Sequence, residues 1–158
     1  MGDRPSSLAR NRQQNALPQE QLFDTHPEVS LDFEIVRQAA RQKYTRPFLI
    51  LDTAIVREKL RRFRAAMPRV RPHYAVKANP DRRVLKSLVQ EGAGFEIASI
   101  AELDLLLSLG VSAGEIFFSN PMRPREADAY AVAKGVRWFV VDSVDELRRM
   151  HAVDPAAR

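Results

Sequence analysis

From His73 to the C-terminus one pattern recurs four times: a short apolar run, a polar turn, then a stretch with helical spacing. The apolar runs centre near Ala75, Ile97, Phe118 and Val140, about 22 residues apart. Runs this short, bounded by turn residues, read as buried strands. The stretches between them carry helix punctuation. Asn79 and Pro80 offer a cap and a first-turn residue, Val84, Leu85, Leu88 and Val89 repeat along one helix face, and Gly92 offers a stop. Ser99 with Glu102, and Ser143 with Glu146, have capping-box spacing. Gly110 and Gly135 fit helix C-termini. Strands that alternate with helices over short loops must run parallel, joined by right-handed crossovers. The expectation is an α/β fold with parallel strands near residues 73–77, 95–99, 116–119 and 138–142.

Four such units make half of a (β/α)8 TIM barrel, which takes about 250 residues when complete. The 158 residues are therefore read as a flexible N-terminal arm over 1–30, polar and without periodicity, followed by a half-barrel over 31–158. An open four-strand half leaves two edges and one face uncovered. A fragment, a truncated gene product and one part of a split protein all fit that description. Upstream of the repeat, Leu31 to Lys43 has helical spacing at Leu31, Ile35, Val36 and Ala39. Pro47–Asp52 reads as a buried strand, and Thr53 as the cap of a basic helix after it.

Composition narrows the function classes. The net charge is +5, and the densest basic stretch is Arg57, Lys59, Arg61, Arg62, Arg64, Arg69 and Arg71. Val56, Leu60, Phe63 and Met67 lie on one face of the same helix, so a solvated outer face explains the charge without nucleic acid. There are no cysteines, hence no disulfide framework or thiolate metal site. His26, His73 and His151 are scattered and make no ligand cluster. No apolar run approaches the roughly 20 residues of a membrane span. Arg4 and Arg10 are not followed by an apolar core, so no secretory signal is read and a cytoplasmic protein is expected.

In parallel barrels the chemistry gathers at the C-terminal ends of the strands. Those ends carry Lys77, then Glu96 and Ser99, then Asn120, then Asp142. A strand-end lysine with an apolar approach is partly desolvated, which frees its amine as a nucleophile toward an aldehyde. The same residue also reads as a surface lysine ending a strand. Ser99 and Ser143 are explained by capping, and Asn120 before Pro121 by a turn. Glu96 is different. It sits inside a strand between Phe95 and Ile97, where a carboxylate is costly unless paired. A site carboxylate and a strand glutamate facing an arginine or solvent are both consistent with that position.

Tyr74-Ala75-Val76-Lys77-Ala78-Asn79 resembles the cofactor-lysine motif of the fold-type III pyridoxal-phosphate decarboxylases, the ornithine, diaminopimelate and arginine decarboxylases built on an alanine-racemase-like barrel. Gly92 to Ser99 resembles that family's second barrel strand, Ile116 to Pro121 the third, and Val140 to Ser143 with Glu146 and Leu147 the fourth. Ser119-Asn120-Pro121-Met122-Arg123 is closest to the ornithine decarboxylase pattern, in which a lysine commonly stands at or beside Arg123. The resemblance implies pyridoxal 5'-phosphate as cofactor and Lys77 as its Schiff-base lysine. It places Glu96 beside the cofactor ring, where the family usually has the shorter aspartate. Ala75, sharing a strand face with Lys77 if the strand is regular, would leave room for the ring. The activity implied is decarboxylation of a basic amino acid, ornithine to putrescine in the nearest pattern, by a homodimer of the full-length protein. A truncated homologue that binds or regulates full-length subunits is the alternative. The family's glycine-rich phosphate loop, the acidic partner of the ring nitrogen and the stacking histidine have no counterpart in these 158 residues.

Overall fold

The computed structural model describes residues 33–42 and 47–158. The expected arm over 1–30 lies outside them. So do Leu31 and Lys43, although α1, Phe33–Arg41, occupies the centre of the segment read as helical. Then follow α2 (Thr53–Ala66), β1 (His73–Ala75), α3 (Arg82–Gln90), β2 (Gly94–Ile97), α4 (Ile100–Ser108), β3 (Ile116–Phe118), α5 (Arg125–Ala133), β4 (Trp138–Phe139) and α6 (Val144–Val153). Single 3₁₀ turns span Val76–Ala78 and Ala113–Glu115. The strands form one sheet in the order β1-β2-β3-β4, parallel throughout. This is the expected α/β architecture of four βα units from a TIM barrel.

Local chemistry explains the repetition. The Ser99 hydroxyl accepts the Glu102 N–H at 3.3 Å, while the Glu102 carboxylate reaches back to the Ala98 N–H at 2.6 Å. Ser143 and Glu146 repeat this at the start of α6, with the Asp142 N–H as the second donor. α3, α4 and α5 all end in the same way. The glycine after each helix takes a positive φ, 68° at Gly92, 84° at Gly110 and 97° at Gly135. The N–H groups of Ala93, Val111 and Val136 then close onto Leu88, Leu106 and Ala131. Only glycine adopts that backbone without strain, so each stop also sets the angle at which the next strand enters.

Three expectations need correction. Asp52, not Thr53, caps α2, accepting the Ala54 N–H at 2.8 Å. Asp81, not Asn79, caps α3, because the 3₁₀ turn at Val76–Ala78 delays the helix start. Asn79 instead accepts the Asp81 N–H at 3.0 Å in a turn of its own. Pro47–Asp52 forms no strand and is not buried. Leu49 is 98% exposed, and the run takes no part in the four-stranded sheet, so its backbone has no ladder to join.

The basic helix is absorbed within the chain. Arg61 makes two hydrogen bonds to the Glu91 carboxylate, and Arg64 donates to the carbonyls of Glu91 and Gly92 at 2.7 and 2.6 Å. Two of its arginines therefore clamp α2 onto the C-terminal end of α3, where carbonyls lack intrahelical donors and the helix dipole favours cations.

Candidate functional site

Strand register sorts the side chains onto two faces. Phe95, Ile97, Ile116 and Phe118 face Val84, Leu85, Leu88, Leu103, Leu106, Ala127 and Ala131 of the helices, and all are buried. The alternate positions Ala75, Glu96, Phe117 and Trp138 form a row across the other face, register partners from strand to strand and all half-buried. Phe117 stacks on Trp138 with ring centres 5.1 Å apart, and His73 meets Phe117 edge-on at 4.5 Å. His73 reaches Phe117 across Gly94, its register partner on β2, where any Cβ would come within 2.7 Å of the imidazole. On this face Ala75 and Glu96 thus continue the row of Phe117 and Trp138, at or one residue short of the C-terminal rim, with His73 packed beneath it.

Lys77 stands just past that rim. β1 ends at Ala75, and Lys77 lies in the 3₁₀ turn, so strand alternation does not place it on the face of Ala75 as expected. Its turn is pinned from two sides. Val76 is fully buried in the core, and the half-buried Tyr74 phenol donates to the Asn79 carbonyl at 3.3 Å. Burial pushes the Tyr74 hydroxyl up from its ordinary pKa, although the bond to Asn79 acts in the other direction. Lys77 itself is exposed, and among the described residues its amine makes no hydrogen bond or ion pair. The partial desolvation expected from sequence is thus not supplied by the described residues. What they supply is a fixed turn and an amine with no competing partner.

Among the described residues Glu96 pairs with neither an arginine nor Lys77. Its Oε1 accepts the hydroxyl of Ser119, the residue after β3, at 2.6 Å. Asn120 is a tie between loops: its side-chain amide donates to the Ala98 carbonyl through Nδ2 and accepts the Met122 N–H at Oδ1. Ser99 and Ser143 are caps, as read from sequence, and Asp142 is exposed at the rim.

Sequence reasoning missed the polar group that shapes this rim most. The Arg123 side chain is completely buried against the stacked rings of Phe118 and Phe139, 5.3 Å from each ring centre. It donates to the carbonyls of Asn120 and Val140 at 2.6 and 2.8 Å and pairs with buried Asp128 at 2.7 Å. Arg149 meets the second Asp128 oxygen and also Glu146. One guanidinium thus joins the loops after β3 and β4, and its carboxylate partner extends the tie to α6. Asp128, in an otherwise small-residue stretch of α5, was the available signal. Ser119 was missed because nothing in a serine's spacing says that a carboxylate on the next strand faces it.

The family model described as "Pyridoxal-dependent decarboxylase, pyridoxal binding domain" matches residues 53–158. Ornithine decarboxylase of Schizosaccharomyces pombe is 40% identical over 111 residues, covering 70% of this chain and 26% of that protein. Antizyme inhibitor 2 of Xenopus laevis is 35% identical over 125 residues, covering 79% of this chain and 27% of that protein. Among solved structures, the Paramecium bursaria Chlorella virus arginine decarboxylase bound to agmatine superposes with a TM-score of 0.75 at 29% identity, covering 79% of this chain and 34% of that one. The chain spans about a quarter of the length of these two curated relatives.

Proposed function

Because the chain belongs to the pyridoxal-dependent decarboxylase family, we propose that it is the lysine-bearing part of an enzyme that removes the carboxylate of a basic amino acid, ornithine giving putrescine. The cofactor is pyridoxal 5'-phosphate, whose protonated ring accepts the electron pair left behind as carbon dioxide departs. One observation carries the reading. At the C-terminal rim of a parallel sheet, on a turn held by buried Val76 and by Tyr74, Lys77 presents an amine that no described residue engages.

The residues fit part of the cofactor's needs. Lys77 offers the amine its aldehyde requires. Ala75 takes up little space beside it, and the aromatic layer of His73, Phe117 and Trp138 makes an apolar floor for a flat ring. Glu96 offers a carboxylate on the neighbouring strand, facing positive charge that develops near Lys77. A phosphate asks for several free donors, and the rim's donors are engaged: the Ser119 hydroxyl by Glu96, the Asn120 amide by Ala98. We assign phosphate binding and the ring-nitrogen partner to parts of the barrel outside these four units. Similarity to an ornithine decarboxylase supports ornithine, and the fold shared with an arginine decarboxylase keeps the substrate among basic amino acids. A homodimer in the cytoplasm completes the reading. Among the described residues no helix is long and apolar enough to cross a membrane. A second reading, a non-catalytic homologue that binds or regulates decarboxylase subunits, is favoured by the 35% identity to a protein named as an antizyme inhibitor.

Pyridoxal phosphate trapping tests the first reading. The purified chain is mixed with pyridoxal phosphate, reduced with borohydride and mapped by mass spectrometry. Lys77 should be labelled ahead of Lys43, Lys59, Lys86 and Lys134, and Lys77→Ala should remove the preferred label. Binding should be weak, and the chain alone should release no carbon dioxide from ornithine. Labelling spread evenly over the five lysines would end the Lys77 assignment and leave the regulatory reading.

A further inference from the structure

We infer that Ser119 is a positioning residue for Glu96, holding one carboxylate oxygen over β3 so that the other is turned to the space above the C-terminal ends of β1 and β2. This rests on the reading that Lys77 meets its cofactor in that space.

The hydrogen-bond geometry assigns the proton. The Ser119 hydroxyl lies 2.6 Å from Glu96 Oε1 and 3.4 Å from the Ile97 carbonyl. The shorter contact is in the range of a hydroxyl bound to an ionised carboxylate, whereas the longer one is too stretched to compete. The Ser119 backbone is fixed as well. Its N–H donates to the Ile97 carbonyl at 3.0 Å, which extends the β2–β3 ladder by one rung. The hydroxyl is therefore carried by the sheet itself and does not depend on a mobile loop.

Ser119 is the one described residue that holds the Glu96 carboxylate. The register neighbours of Glu96 are a methyl group at Ala75 and a ring at Phe117, and neither donates a hydrogen bond. No other hydrogen bond or ion pair is made by the Glu96 carboxylate among the described residues. Released from Ser119, the half-buried carboxylate would turn toward solvent or toward the exposed amine at Lys77. Pairing with that amine would hold it as an ammonium, which has no lone pair for an aldehyde. The tether to β3 prevents this while leaving Oε2 open. It also accounts for the length of the side chain. A glutamate, one methylene longer than aspartate, reaches sideways to the next strand and keeps its second oxygen over the rim.

The test uses the 158-residue chain, pyridoxal phosphate with borohydride, and four variants. Ser119→Ala should lower Lys77 labelling about fivefold, as loss of a hydrogen bond to a charged group implies. Ser119→Thr, which keeps the hydroxyl, should stay within about twofold of the parent chain. Glu96→Gln should also lower labelling, and adding Ser119→Ala to it should lower it no further, since both changes act on the same carboxylate. Parent-like labelling in Ser119→Ala would overturn the inference while leaving the Lys77 assignment intact. An equal further loss in the Glu96→Gln background would overturn it too. If the parent chain shows no preference for Lys77, the decarboxylase reading falls and this inference falls with it.

Discussion

The two faces of the sheet are built from neighbouring residues in the same strands and have different fates. Phe118 is buried to 1% exposure under the helices, whereas Phe117, one residue earlier, is half-buried on the open side among His73, Trp138 and Glu96. The helix face is sealed by aliphatic side chains from α3, α4 and α5. On the other face the aromatic rings pack on one another, and the polar residues stand at the rim. A barrel strand thus divides its work by parity. One set of alternate residues holds the fold together, and the other set carries a surface that chemistry can use.

Truncating the two phenylalanines tests that division most severely. Phe118→Ala opens a cavity in a sealed core and should cost about 3–5 kcal/mol in urea unfolding. Phe117→Ala removes a half-exposed ring and should cost about half as much or less. Equal losses would break the comparison, because they would mean that the open face is buried in solution as deeply as the helix face.

How far the sequence reveals each face follows from the same division. The helix face was legible because its signals are local and periodic: apolar residues along α3, serine and glutamate at capping spacing, glycine at the stops of α3, α4 and α5. Strand order and direction followed from that repetition. The rim was legible only in part. Lys77 and Ala75 stand in one motif, Glu96 stands out as a carboxylate inside the next apolar run, and register does place Ala75 beside Glu96. The 3₁₀ turn that carries Lys77 off the strand was not visible, since Val76-Lys77-Ala78 is as compatible with a strand as with a turn. The partners Ser119–Glu96 and Arg123–Asp128 come together only through pairing and helix packing, which one-dimensional spacing does not encode. Pro47–Asp52 misled for a related reason. Its apolar pattern calls for a partner surface, and the four-stranded sheet does not provide one.

Gly94 sharpens the comparison from the open side. A methyl group there would meet the His73 ring at 2.7 Å, and that ring is already set edge-on against Phe117. Gly94→Ala should therefore cost about 1–3 kcal/mol, the range for overpacking. Removing the obstacle should recover most of the loss, so Gly94→Ala with His73→Ala should be close to His73→Ala alone in thermal unfolding. Failure of that recovery would show that the glycine is needed for β2 itself, and the aromatic layer would lose its claim on the position.

The smallest expected effect concerns Asp81, at the rim where the two faces meet. Its carboxylate caps α3, which carries Val84, Leu85 and Leu88 into the sealed side, and it follows the turn that presents Lys77. Hydrogen bonds from the Arg83 side chain, and then from the Arg83 backbone N–H, hold the Asp81 carboxyl at about 2, against an ordinary 3.8. A carboxyl depressed on folding contributes stability above its ordinary pKa and loses it as pH falls through the folded value. The contribution should therefore be complete at neutral pH and disappear between about pH 4 and pH 2. Asp81→Asn keeps a capping oxygen but has no charge to titrate. The variant should be slightly less stable than the parent at neutral pH, and the two acid-unfolding curves should converge by about pH 2. A gap that stays constant across that window would place the Asp81 contribution in cap geometry alone. The ion pair with Arg83 would then be a surface contact with no part in holding α3 beneath the rim.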